Sequence, residues 1–171
     1  MRIIAGSRKG ARIFAPKGRA TRPTGDRVRE AAFNLIGPVD DATVLDLFAG
    51  SGAMGLEALS RGAASAVFVE SDREACRTID RNLEKLGFRG TVLCSDAVRT
   101  LATERRRYDL VLVDPPYGFD HGALTRYLPR VLADDGLLVF ETAARDEPEL
   151  AGLQLRTSRR YGSARLTLFE P

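Results

Sequence analysis

Between residues 44 and 140 five short apolar runs alternate with stretches of helical period, and this alternation constrains the fold more than any other feature of the chain. Val44-Leu45-Asp46-Leu47-Phe48, Ala66-Val67-Phe68-Val69, Thr91-Val92-Leu93-Cys94, Asp109 to Val113 and Leu137 to Phe140 read as strands. The fourth is almost wholly apolar, as a strand covered on both faces must be. Helices are expected from about Met54 to Arg61, over Cys76, Ile79, Leu83 and Leu86 up to Gly87, briefly after Asp96, and over Leu124, Tyr127, Leu128, Val131 and Leu132. Residues 153–170 break the pattern. Two alternating segments flank Tyr161-Gly162-Ser163, which predicts an antiparallel hairpin. The fold expected is a mostly parallel, doubly wound α/β sheet with one reversed strand.

Upstream of this region the chain has another character. Residues 1–29 carry nine Lys/Arg against one acid, Asp26, whereas the whole chain holds 26 Lys/Arg and 23 Asp/Glu. Ile3-Ile4 and Ile13-Phe14 flank a turn and predict a short β-hairpin, followed by a linker from Gly18 to Gly25. A helix follows over Val28, Ala31, Ala32, Leu35 and Ile36, capped by Thr24 or Asp26 and stopped by Gly37-Pro38. A basic arm on an acidic body is the charge pattern of a nucleic-acid reader, with Arg8, Lys9, Arg12, Lys17, Arg19 and Arg22 as candidate phosphate contacts. The chain is therefore expected to divide into a basic arm, residues 1–25, and an α/β domain, residues 26–171.

A chain of 171 residues suits one domain with a real core. No apolar run reaches membrane-spanning length and the first residues lack a signal-peptide core, so a soluble, cytoplasmic protein is expected. Two cysteines and one histidine argue against a disulfide framework and against a zinc site.

In an open parallel sheet, ligands bind beyond the carboxyl ends of the strands. Four strand ends here deliver Asp46-Leu47-Phe48-Ala49-Gly50-Ser51-Gly52, then Glu70, Asp96 and Asp114-Pro115-Pro116-Tyr117. Gly50 and Gly52 let a ligand approach the backbone, and Glu70 suits ribose hydroxyls. The glycine spacing also fits a dinucleotide fingerprint, so a small nicotinamide-dependent oxidoreductase is one alternative. The tetrapeptide points elsewhere. Asp114 and the Pro115 carbonyl can accept the two hydrogens of a base amino group, the proline pair stiffens the loop, and Tyr117 can stack on the base.

These residues resemble the S-adenosylmethionine-dependent amino-methyltransferases. The likeness runs further, through Met1-Arg2-Ile3-Ile4-Ala5-Gly6, Thr21-Arg22-Pro23-Thr24-Gly25-Asp26-Arg27-Val28-Arg29-Glu30-Ala31 and the stretch from Gly50 to Ala63 (GSGAMGLEALSRGA). Over essentially its whole length the chain resembles the bacterial RsmD family, which methylates guanine N2 in small-subunit (16S) ribosomal RNA. The resemblance implies a Rossmann-like, seven-stranded methyltransferase sheet, S-adenosylmethionine as cofactor without a metal, and a monomer acting on rRNA, free or within the small subunit. It also implies that Asp46, Phe48, Gly50 and Gly52 surround the methionine part of the cofactor and Glu70 its ribose. Asp96 with Ala97 would meet the adenine, Thr24 and Arg27 would close over the cofactor, and Asp114, Pro115, Pro116 and Tyr117 would hold the guanine. Adenine-N6 methylation of nucleic acid and a non-catalytic RNA-binding module are further alternatives.

Overall fold

The computed structural model describes residues 1–17 and 25–171. In chain order the elements are α1 (Asp26–Ile36), β1 (Thr43–Leu47), α2 (Ala53–Ser60), β2 (Ser65–Glu70), α3 (Arg73–Leu86), β3 (Thr91–Cys94) and α4 (Ala97–Thr103). They continue through β4 (Tyr108–Val113), α5 (Gly122–Thr125), α6 (Leu128–Val131), β5 (Leu132–Ala143), β6 (Gln154–Tyr161) and β7 (Ala164–Glu170). The seven strands form one sheet in the order β3-β2-β1-β4-β5-β7-β6. β1 to β5 pair in parallel, and β7 is antiparallel to both of its neighbours, so it alone runs against the rest. The expected α/β sheet with one reversed strand is what forms. β7 inserted between β5 and β6 also departs from the purely parallel dinucleotide-binding order.

Alternation along the strands builds a core on each face. Val44, Phe68, Leu110, Leu112 and Val139 meet Phe33, Leu56, Ile79 and Leu83 from α1, α2 and α3. Leu45, Leu47, Val67, Val111, Val113 and Phe140 meet Leu101, Leu124 and Val131 from α4, α5 and α6. Asp72 caps α3 by accepting from Ala75 N at 2.9 Å, and Gly87, at φ +70°, ends it in the left-handed conformation.

Three local expectations change. The N-cap of α1 is Gly25, which offers no side-chain bond; Asp26 turns its carboxylate to Arg29 instead, at 2.9 Å. The helix expected over residues 124–132 is broken into α5 and α6. Pro129 lacks an N–H and disfavours helix in the residue before it, so it can begin a helix but not continue one. Leu132 already belongs to β5, which runs far beyond residues 137–140; its pairing with Tyr108 lies across a register shift, and Asp134-Asp135-Gly136 gives that stretch the look of a turn.

The leader forms an abbreviated hairpin, a single antiparallel bridge between Arg2 and Arg12 around a 3-10 turn at Gly6–Arg8. It does not stand away from the body. Ile3 and Ile13 are buried in the core, and the buried carboxylate of Glu57 accepts from Ile4 N at 2.8 Å and Ala5 N at 3.0 Å. Among the described residues no helix is long and apolar enough to cross a membrane.

Candidate active site

The order of strands reverses between β1 and β4, and Leu47 lies in register with Val113. Phe48 and Asp114 therefore leave the sheet side by side, which brings the glycine bend and the proline loop to one rim. The bend is held by its own backbone: Ala49 N donates to Val69 O at 3.0 Å and Gly52 N to Ala49 O at 2.7 Å. Phe48, Gly50 and Gly52 have φ of +59°, +57° and +81°. At Gly50 a Cβ would meet nothing within 4 Å, so a side chain there is opposed by the left-handed backbone and not by a neighbour, and the space beside the bend is open. Phe48 holds a left-handed conformation without being glycine, a cost of order 1–3 kcal/mol that tends to collect at working sites. Its ring is fixed edge-on against Phe119, centroids 5.1 Å apart.

Three carboxylates converge here. Glu70 Oε2 accepts from Gly50 N at 2.8 Å and Oε1 from Asp72 N at 2.9 Å, so Glu70 shapes the bend while each oxygen keeps a further lone pair for a ligand. Asp46 is buried and its Oδ2 accepts from Gly55 N at 2.9 Å. Burial, and then the charges of Asp114 and Glu70, push its carboxyl up to about 8, against the pull of the Gly55 N–H. The charges of Glu70 and Asp114, beside a carboxyl whose ionisation they and burial oppose, make this rim suited to a cation. S-adenosylmethionine carries positive charge on its ammonium and sulfonium groups, so the donor set fits that cofactor. Among the described residues no group of three or more His, Cys, Asp or Glu could hold a metal ion.

Asp114 and Pro115 are half-buried, whereas Pro116 and Tyr117 are exposed, Tyr117 at 64%. The Pro116 carbonyl accepts from Phe119 N at 3.2 Å, closing the loop onto Phe48. Asp96 lies two residues past Cys94, the register partner of Glu70, and so on the same rim. It is exposed and caps α4 through Arg99 N at 2.9 Å; Ala97 behind it is buried. Asp46, Phe48, Gly50, Gly52, Glu70, Asp96, Ala97 and the residues of the tetrapeptide thus share the carboxyl end of the sheet.

The cations divide. Lys9, Arg12 and Lys17 are exposed. Arg8 is engaged inward, its Nε donating to Leu86 O at 2.7 Å and its guanidinium lying 5.5 Å from the Phe88 ring centroid. Arg29, counted with the basic leader, is fully buried beside Glu57 and donates to Arg2 O. Arg27 is exposed on α1 and lines a shallow groove with Arg2, Lys9 and Glu30. Arg19, Arg22 and Thr24 lie outside the described residues. Asn82 is absent from every sequence expectation, yet it is fully buried and bonded to the bend through Ser51 O. Its signal was a polar residue three positions from Ile79, on the apolar stripe of α3.

Residues 1–170 match the family described as Conserved hypothetical protein 95. The chain belongs to this family, the RsmD family of the resemblance. It is 42% identical to the Escherichia coli K12 protein named Ribosomal RNA small subunit methyltransferase D, over 88% of this chain and 75% of the relative. It is 38% identical to YlbH of Bacillus subtilis over 99% and 98%. The solved yhhF structure from E. coli superposes with a TM-score of 0.88 at 37% identity, covering 99% of this chain and 96% of that one.

Proposed function

We propose that this protein transfers a methyl group from S-adenosylmethionine to the exocyclic N2 amino group of a guanine in small-subunit (16S) ribosomal RNA. The observation that carries the reading is the adjacency of the Asp114-Pro115-Pro116-Tyr117 loop and the Phe48–Gly52 bend, on paired strands and joined by the Phe48–Phe119 contact. The name of the E. coli relative supports small-subunit rRNA as substrate.

When bound, the cofactor supplies an electrophilic methyl group. Asp46, Phe48, Gly50 and Gly52 would border its methionine part, Glu70 its ribose, and Asp96 with Ala97 its adenine. Thr24 and Arg27 would close over it, as the family resemblance implies. Asp114 Oδ and the Pro115 carbonyl accept the two amino hydrogens, orienting the nitrogen lone pair and stabilising positive charge that develops there. The amine becomes acidic on methylation, and its proton leaves to Asp114 Oδ or to solvent. Tyr117 stacks on the extruded base, a contact worth about 1–3 kcal/mol against an unstacking cost of a few kcal/mol. Lys9, Arg12, Lys17, Arg19 and Arg22 would neutralise phosphates around it, with Arg8 chiefly structural.

The test incubates the protein with labelled S-adenosylmethionine and small subunits from a strain lacking the modification, then maps the label. Label on a guanine N2 is expected; label on adenine N6 would overturn the base assignment. Asp114→Ala should lower turnover about 10²–10³-fold while S-adenosylhomocysteine affinity stays within about threefold. Unchanged turnover removes Asp114 from the chemistry.

A further inference from the structure

Asn82 is a buried polar side chain that the mechanism above does not use, with its amide oxygen and both amide hydrogens engaged. It lies in the third turn of α3 with no solvent exposure, on the same buried stripe as Ile79, Leu83 and Leu86. Its Oδ1 accepts from Phe14 N at 2.7 Å, and its Nδ2 donates to Phe14 O and to Ser51 O, both at 3.0 Å. The first two bonds grip the returning strand of the leader hairpin. The third reaches the bend.

Ser51 stands between two glycines in the left-handed conformation, and the Ser51–Gly52 peptide plane is hinged on one side at Gly52, a residue with no Cβ to resist its rotation. That plane is pinned at both ends. Its N–H donates to Ala49 O, and its carbonyl accepts from Asn82. Rotation would break both bonds and redirect the backbone beside Gly50, whose N–H is held by Glu70. Asn82 cannot swing away to follow, because the Phe14 backbone fixes both ends of its amide.

The geometry points to Asn82 as a positioning residue for cofactor binding, which holds the Ser51–Gly52 peptide of the glycine bend in its binding-competent orientation and is itself held by the leader. This rests on the assignment of the bend to S-adenosylmethionine. Losing the clamp divides the bend between competent and incompetent forms. A ligand that binds only the first then binds more weakly in proportion to the population lost, and once bound it reacts normally.

Calorimetry with S-adenosylhomocysteine and initial rates with S-adenosylmethionine test this. Wild-type protein that fails to bind S-adenosylhomocysteine would overturn the cofactor assignment itself. With wild-type binding established, Asn82→Ala should raise Kd and KM together by about tenfold and leave kcat at saturation within about twofold. Leu83→Ala, a neighbouring cavity with no polar reach to the bend, should lower Tm without moving Kd. Asn82→Asp keeps the shape and the acceptor for Phe14 N but turns the donor to two carbonyls into an acceptor, and it carries the test alone if Asn82→Ala does not fold. Its Kd penalty relative to wild type should shrink as pH falls from about 8 to about 6, because the protonated carboxyl regains one donor. Wild-type affinity in folded Asn82→Ala and Asn82→Asp, an equal loss in Leu83→Ala, or a fall in kcat with KM unchanged would overturn the proposal.

Discussion

Replacing Asp46 by Asn removes the ionisation that the fold opposes and keeps the acceptor for Gly55 N–H. In the native protein this carboxyl is pushed from 3.8 to about 8, mainly by burial. An unfolded chain ionises it near its ordinary value, so between about pH 4 and pH 8 the native state binds more protons. The contribution of a protonated Asp46 is complete below about pH 4 and is lost as pH rises toward about 8, at about 1.4 kcal/mol per pH unit. Asn has no such slope. The stability of Asp46→Asn minus that of wild type should therefore increase by about 3 kcal/mol between pH 5 and pH 7. The fixed cost of an extra buried N–H₂ displaces the line without tilting it. Glu104, drawn down to about 2 by its hydrogen bond from Arg106, titrates below this window and is common to both proteins. Urea unfolding of the ligand-free proteins at pH 5, 6, 7 and 8 measures the difference. Parallel stability profiles would mean that Asp46 is already ionised in the native state, and the like-charge account of the site would fall. If the cofactor's cationic groups lie near Asp46, binding of S-adenosylhomocysteine, which retains the ammonium, should also release protons from wild type at pH 7. Calorimetry in two buffers of different ionisation enthalpy reads that release, which Asp46→Asn should lack.

Glu70→Gln retains one acceptor for the bend but loses the charge and one acceptor, and S-adenosylhomocysteine affinity should fall about tenfold, or ~1.4 kcal/mol; unchanged affinity would move the ribose away from Glu70. Neutralising Lys9, Arg12 and Lys17 together spares the inward bonds of Arg8, so Tm should hold. The slope of log affinity for RNA against log salt should then flatten by about 0.7–0.9 per lost phosphate contact. An unaltered slope would reduce these cations to solvated decoration.

The architecture was legible because its signals are local. Five apolar runs at strand length, helices of clear period such as the one ended by Gly87, and a closing hairpin leave few ways to bury both faces of a sheet. The gathering of the strand-end residues was legible for a related reason. A parallel sheet sends every carboxyl end to one rim, so Asp46, Glu70, Asp96 and Asp114 could be placed together from their positions in the alternating pattern. Residues 124–132 were misread because helical periodicity spoke louder than Pro129, and the start of β5 was hidden by Asp134-Asp135-Gly136.

What the chain's order alone determines is which elements form and which of their ends meet, since propensity, capping and period act over a few neighbours. Tertiary structure decides charge state and engagement, because these depend on what arrives from far along the chain. Asp46 titrates near 8 only because strands and helices close over it and bring Asp114 beside it. Arg8 and Arg29 read as free cations until Leu86 and Glu57 receive them. Asn82 reads as a blemish on an apolar stripe until a leader strand 68 positions away and a bend 31 positions away use all of its hydrogen-bonding groups.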